Sequence, residues 1–279
     1  MNTDTTQDIL ITGLPRSGTT LTCHLLNKVP NSVALHEPMS PNQLEGLETT
    51  ELLGTIAQFF AAQRDQILTK GTATSKAWNG AVPPNPRGDA DAQGRRTTIL
   101  NGTEIAVSNV SSSTFHLYIK HPAFFTAALP VLIGRFSCFA IVRNPLAVLL
   151  SWRTAGMAVS DGRMPAAEQF DPRLVTLLNA EPDVLNRQLI LLDYCFSQYR
   201  RFLPSRIIWY EDIIRSGGKA LSLINPAANQ LDEPLRSRNM LGIQTDPAAK
   251  EIGMRLLESE SSCWSFYEKV NVEALLLSQ

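Results

Sequence analysis

The chain has 279 residues, 44% of them apolar and 18% charged, enough to build a large buried core. Its 25 Lys+Arg balance 26 Asp+Glu, a formal net charge of −1. That excludes the broad basic surplus of a general nucleic-acid binder but leaves room for a local anion pocket. Cys23, Cys138, Cys195 and Cys263 are scattered without a CxxC pair, so they read as reduced, mostly buried thiols rather than a disulfide frame or a zinc site.

The first residues, MNTDTTQD, are polar and acidic, without the basic and apolar regions of a signal peptide. No stretch reaches the roughly 18 unbroken apolar residues of a membrane span. A soluble cytoplasmic protein is the expectation. The run Ile9 to Thr12 leads into Gly13-Leu-Pro-Arg-Ser-Gly-Thr-Thr20, after which Leu21, Leu25 and Leu26 recur at helical spacing: strand, Gly-bounded loop, helix. Residues 33–38 predict a second strand stopped by Pro38, and 48–70 an amphipathic helix ending at Gly71. Residues 72–113 are polar and punctuated by Pro83, Pro84, Pro86, Gly88 and Gly94. They read as an insertion, a place for specificity or a lid, with Asn101-Gly102 as the turn of a surface hairpin.

The alternation then resumes. Strands are expected over 115–119, 136–142 and 206–210, and helices over 123–132, after Asn144-Pro145, over 185–203 and after Asp246-Pro247. Trp264, Phe266 and Tyr267 predict a terminal helix packed on the core. The pattern is that of one α/β domain over 1–279, a P-loop-like parallel sheet flanked by helices on both faces, with a hairpin-bearing insertion.

Gly13-x-x-x-x-Gly18-Thr19-Thr20 nearly matches a nucleotide phosphate loop. A strand-to-helix turn of this kind aims free N–H groups and the positive helix end at an anion. Thr19 stands where a triphosphatase carries lysine, the cation has moved to Arg16, and no apolar strand ends in Asp. Arg143, with Ser151 eight residues on, marks a second basic strand end. Alone, Arg143 reads as a surface residue paired with an acid. Together the two sites suit a ligand with two separated phosphates better than a triphosphate chain.

At these residues the sequence resembles the sulfotransferases that use 3′-phosphoadenosine 5′-phosphosulfate (PAPS). Residues 15–20, PRSGTT, are similar to their 5′-phosphosulfate loop, residues 142–145 with Ser151 to their 3′-phosphate motif, and Trp209-Tyr210-Glu211-Asp212 to a segment whose tyrosine lies near the cofactor. The resemblance is to the PRSGTT branch, which includes bacterial and tyrosylprotein enzymes. The cytosolic animal enzymes usually have lysine in place of Arg16 and tryptophan in place of Leu21. The resemblance implies PAPS as donor, no metal, and cofactor contacts from Arg16, Ser17, Gly18, Thr19, Thr20, Arg143, Ser151 and Tyr210. It also implies Glu37 as general base and Lys120 and Arg16 as charge stabilisers. His121 is the second choice of base and His36 the third, because strict strand alternation turns His36 away from Glu37. Arg236-Ser-Arg-Asn239 and Lys250 are candidates for a loop over the cofactor.

Sulfuryl transfer resembles phosphoryl transfer in resting on positioning and charge stabilisation. A base must take the acceptor's proton as its nucleophilicity develops. The expected acceptor is a small molecule, lipid or saccharide, contacted by 72–113 and 156–182. A kinase-like enzyme using Mg-ATP and a non-catalytic nucleotide-binding module are the rival readings.

Overall fold

A computed structural model describes residues 7–90, 96–241, 243 and 246–277. The buried run Asp8–Gly13 forms β1, followed by α1 (Thr19–Leu26), β2 (Ser32–His36) and α2 (Thr49–Lys70). Gly71, at φ 66°, ends α2 in the left-handed conformation that glycine adopts without steric cost. The inserted stretch supplies β3 (Thr72–Ala77), β4 (Arg87–Ala90), β5 (Arg96–Thr98) and β6 (Asn101–Ala106). Then come β7 (His116–Lys120), α3 (Pro122–Leu132), β8 (Ser137–Val142) and α4 (Pro145–Arg153). Short α5 (Pro165–Glu168) and α6 (Pro172–Ala180) lead to the long α7 (Val184–Phe202). The chain continues through β9 (Ile207–Trp209), α8 (Tyr210–Arg215), α9 (Ala249–Glu258) and α10 (Lys269–Leu277).

The central sheet has five strands in the order β2-β7-β1-β8-β9, every pair parallel. Alternation along these strands feeds two cores. Leu10, Leu35, Ile119 and Val142 face one side, against Phe60 of α2, Phe124 of α3, Leu149 of α4 and Phe196 of α7. Ile9, Ile11, Ala34, Tyr118 and Ile141 face the other, against Leu25 and Leu26 of α1 and Ile213 of α8. Helices therefore cover both faces, as a sheet of nearly continuous apolar strands requires. Asn144 caps α4 as its sequence predicts, accepting from the Leu146 and Ala147 N–H groups. Among the described residues, no helix is long and apolar enough to cross a membrane.

The insertion does carry a hairpin, but Asn101-Gly102 is not its turn. Those residues lie inside β6, paired antiparallel with Ala77 and Lys76 of β3, and β4 pairs with β5. Two-residue turn chemistry lost to a longer-range pairing that buries Ala73, Ala77 and Ile105 in the main core. Two smaller differences lie near the C-terminus. Tyr210 opens a helix instead of closing a strand. The Trp264 to Tyr267 cluster packs on α7 (Phe196 to Phe266, 5.4 Å between ring centres) through a 3₁₀ turn over Ser262–Ser265, not a helix.

Candidate functional site

Ligands of open parallel sheets bind beyond the carboxyl ends of the strands, and the predicted site residues gather there. Read across the sheet, β2 delivers Glu37, β7 Lys120, β1 the 14–20 loop, β8 Arg143 and β9 Tyr210. Arg16, Gly18, Thr19, Thr20, Glu37, Lys120, His121, Arg143 and Tyr210 all line one cavity of about 810 Å³.

The loop is held from below. Ser17 N–H donates to Leu14 O (3.0 Å) and its hydroxyl to Ile141 O (2.7 Å). Ser17 thus spends both donors on the scaffold and does not line the cavity. Trp152 Nε1 donates to Pro15 O (2.8 Å). No side chain caps α1, so the N–H groups of Gly18, Thr19 and Thr20 form its unsatisfied first turn. Gly18 sits at φ 100°, and a Cβ there would lie 2.7 Å from the Tyr210 ring. Gly18→Ala is expected to cost about 1–3 kcal/mol in denaturant unfolding. It should also push away Tyr210, whose hydroxyl accepts from Arg238 N–H (3.1 Å); wild-type stability would disprove the close approach.

Arg16 projects from the loop at φ 72°, a strained conformation for a non-glycine residue. Its Nε donates to Ser151 Oγ (3.1 Å) and its Nη1 approaches Asn85 Oδ1 (3.5 Å). Burial first, then the neighbouring Arg143, Arg87, Arg238 and Arg96, push its pKa down to about 10. Arg143 is 6% exposed. Its guanidinium donates to Asn239 Oδ1, Arg16 O and Arg238 O at 2.8–2.9 Å and lies 4.8 Å from the centre of the Tyr210 ring. It is therefore not a surface residue paired with an acid. Ser151 serves Arg16 rather than Arg143 and does not line the cavity.

Glu211 ties this end together. It accepts from Asn144 N–H (2.9 Å), Asn239 Nδ2 (2.8 Å) and Tyr267 Oη (2.9 Å), fixing the 238–239 segment over Arg143. Arg236 and Arg238 line the cavity, and Asn239 acts through Arg143. Lys250 is exposed and apart from it.

At the other strand end Glu37 receives Lys120 Nζ on Oε1 (2.8 Å) and Lys76 Nζ on Oε2 (2.9 Å). Burial alone raises the Glu37 pKa. The charges around it, Lys120 foremost, then His36, His121 and Lys76, outweigh burial and hold the carboxyl well below its usual range. His36 does not turn away: its Nε2 lies 3.6 Å from Glu37 Oε1 and 3.4 Å from Lys120 Nζ. Glu37 stands at φ 44°, beyond the last residue of β2, and this left-handed step breaks the alternation that would separate the two side chains. His121 is buried against Phe124 and Phe125, with Nε2 unpartnered. Burial takes its pKa down to about 3 and also lowers that of His36, so both rings are neutral near pH 7.

Among the cavity residues that the sequence reading did not single out are Lys76 in β3, and Asn85 and Arg87 before and in β4. The inserted stretch, expected to serve specificity or as a lid, does line the cavity, but nothing in it marks these particular residues. Among the described residues, Glu37 is the one acidic residue that lines the cavity, against cations at both ends. Arg16, Arg143, Arg236 and Arg238 stand near the loop, and Lys76, Arg87, Lys120 and Arg163 toward β2 and α5.

No protein-family model matches the chain, and no curated protein matches it. Among solved structures it is similar to the crystal structure of the sulfotransferase STF1 from Mycobacterium tuberculosis H37Rv. That likeness has 12% identity and a TM-score of 0.34, and covers 98% of this chain and 77% of that one. At that score it adds nothing to what strand order and loop geometry already establish.

Proposed function

We propose that the protein is a sulfotransferase that moves a sulfuryl group from PAPS to a hydroxyl or amine of an acceptor. The observation that carries this reading is the pair of buried guanidiniums. Arg16 and Arg143, among the described residues, hydrogen-bond only neutral oxygens, and several further arginines repel Arg16. Cations so placed call for an anionic ligand, and their separation on adjacent strand ends suits two phosphate-like groups.

Bound donor supplies a sulfuryl group already activated on a phosphate leaving group. The N–H groups of Gly18, Thr19 and Thr20, with Arg16, hold its 5′ end; Arg143 and Arg238 hold the 3′-phosphate. Glu37 takes the proton from the acceptor. Lys120 and Arg16 stabilise charge on the sulfuryl and leaving oxygens. Lys120 is 2% exposed and already ionically paired with Glu37, so the cation orients the base.

Calorimetry tests the reading. Adenosine 3′,5′-bisphosphate is expected to bind at micromolar Kd, about −8 kcal/mol, without metal and more tightly than ATP. Arg143→Ala should remove most of that affinity. Tighter, Mg²⁺-dependent binding of ATP would replace this reading with the kinase. Bisphosphate binding without transfer to any acceptor would leave a binding module.

A further inference from the structure

The anion loop follows β1 and Glu37 follows β2, so a group passing from donor to acceptor lies between those two strand ends. The sheet supplies one cation there, Lys120 of β7, the strand between β2 and β1. The insertion supplies another, Arg87 at the start of β4.

The other cations of the cavity are committed elsewhere. Arg143 is bonded to Asn239 and to the Arg16 and Arg238 carbonyls, and the exposed Arg236 and Arg238 belong to that same segment. Arg163 is paired with Glu168, and both Lys76 and Lys120 with Glu37. Arg87 differs. Among the described residues its guanidinium makes one hydrogen bond, from Nη1 to Arg96 O (3.2 Å), and has no carboxylate at ion-pair distance. Burial lowers its pKa and Glu37, acting through space, raises it; Arg87 in turn lowers the pKa of Arg16. Arg87 is thus within electrostatic reach of both the cation of the loop and the base.

The segment that carries it is stiff. Asn85 stands between Pro84 and Pro86, whose rings fix the backbone on either side. Asn85 Nδ2 donates to Arg87 O (2.9 Å), while its Oδ1 faces Arg16 Nη1 (3.5 Å), so one side chain spans from Arg87 to the loop. Arg87 pairs with Thr98 of β5, Ile99 N–H donates to Pro86 O (3.1 Å), and Arg96 N–H donates to Thr154 O (3.1 Å) at the end of α4. The backbone is held on both strands of the ribbon, and the half-buried Arg87 side chain lines the cavity.

We propose that Arg87 is a donor-binding residue contributed by the insertion, its guanidinium holding the oxygens of the sulfuryl group together with Lys120. This rests on the sulfotransferase reading and adds a residue to its centre. The planar fork of a guanidinium reaches two oxygens of one group at once, which an ammonium does not. Charge balance points the same way. Lys76, Lys120 and Arg87 surround a single carboxylate, and the excess positive charge is left for an anion. The transfer breaks the bond from sulfur to the bridging phosphate oxygen, whose electron pair leaves with the bisphosphate. It forms the bond from sulfur to the acceptor oxygen, and the acceptor's proton passes to Glu37. The sulfuryl oxygens carry negative charge throughout, so a guanidinium fixed against them serves the bound donor and the transition state alike.

The test compares two nucleotides that differ by the sulfuryl group, PAPS and adenosine 3′,5′-bisphosphate. Both are titrated by calorimetry into the full chain without acceptor. Arg87→Met is expected to raise the Kd for PAPS at least about tenfold and leave that for the bisphosphate within about twofold. Arg87→Gln, which keeps a polar stem without the charge, should reproduce the loss, and Arg87→Lys should recover part of it. Bisphosphate affinity reports the fold of each variant. An equal loss for both nucleotides, or PAPS binding unchanged in the Met and Gln variants, overturns the assignment of Arg87 and leaves the sulfotransferase reading standing. A wild type that binds neither nucleotide, or that prefers Mg-ATP, sinks that reading and this inference with it.

Discussion

Glu37→Gln is expected to lower turnover at least about a thousandfold while adenosine 3′,5′-bisphosphate binds within about twofold of wild type. Glutamine keeps the shape of the side chain but cannot take a proton. The substitution also strips the buried Lys120 of its carboxylate, and an uncompensated buried charge costs on the order of 3–5 kcal/mol. Loss of activity through loss of fold must therefore be separated from loss of the base. The double variant Glu37→Gln with Lys120→Met removes both charges and should recover most of the stability in urea unfolding without recovering turnover. A single variant that retains a tenth of wild-type kcat would remove Glu37 as the base.

The pH profile reads the same group. Because the folded pKa of Glu37 lies well below its ordinary value of 4.5, the carboxylate is fully present above about pH 4.5. Its contribution to stability is complete above that point and is lost as pH falls through the lower, folded value. With His121 near 3 and His36 also lowered, no imidazole in the site changes charge between pH 5.5 and 8. Flat kcat/KM across that window is expected. A break near pH 6.5 would move the base to a histidine with an ordinary pKa.

Much of this site was legible in the sequence, and for identifiable reasons. The phosphate loop announces itself locally, since Gly13 and Gly18 bound a turn between an apolar run and helical periodicity. Arg143 and Asn144 follow an unmistakable buried strand, and proline at the first helical position sets the direction of α4. Parallel topology then forces these strand ends to one edge, whatever the loops between them do. What stayed hidden depends on single backbone angles or on long-range pairing. The meeting of His36 with Glu37 follows from one left-handed residue, and a reading based on alternation places them apart. Lys76 reaches Glu37 because β3 pairs with β6 across the insertion, displacing the turn expected at Asn101-Gly102. Asn85 and Arg87 carry no local signal, and their proximity to Arg16 arises only when the insertion folds back.

Arg16→Met is expected to make the unliganded protein more stable and to abolish its response to anions. Arg16 stands among four other arginines, and among the described residues its own bonds reach only a hydroxyl and an amide oxygen. For a base whose folded pKa is depressed, the fold bears the penalty wherever the group is charged. That covers all pH below about 10 and fades only as pH rises through the folded and unfolded values. The drop from 12.5 to about 10 sets an upper bound of roughly 3 kcal/mol on the penalty, so a gain of about 1–3 kcal/mol is expected at neutral pH. At about 2–4 °C per kcal/mol for a large domain, that is a readily measured rise in Tm. Methionine preserves most of the aliphatic volume and demands no new backbone conformation, and Ser151, half-buried, can turn to solvent. Wild type should gain stability from adenosine 3′,5′-bisphosphate by mass action, and the variant should not. The two curves would then cross: less stable than Arg16→Met when empty, the wild type overtakes it when the ligand is in large excess. A variant that is less stable when empty, yet still rises with bisphosphate, would show that Arg16 supports the loop rather than the anion. The expected crossing has a physical origin, because a cluster of like charges held ready for an anion is strained until the anion arrives.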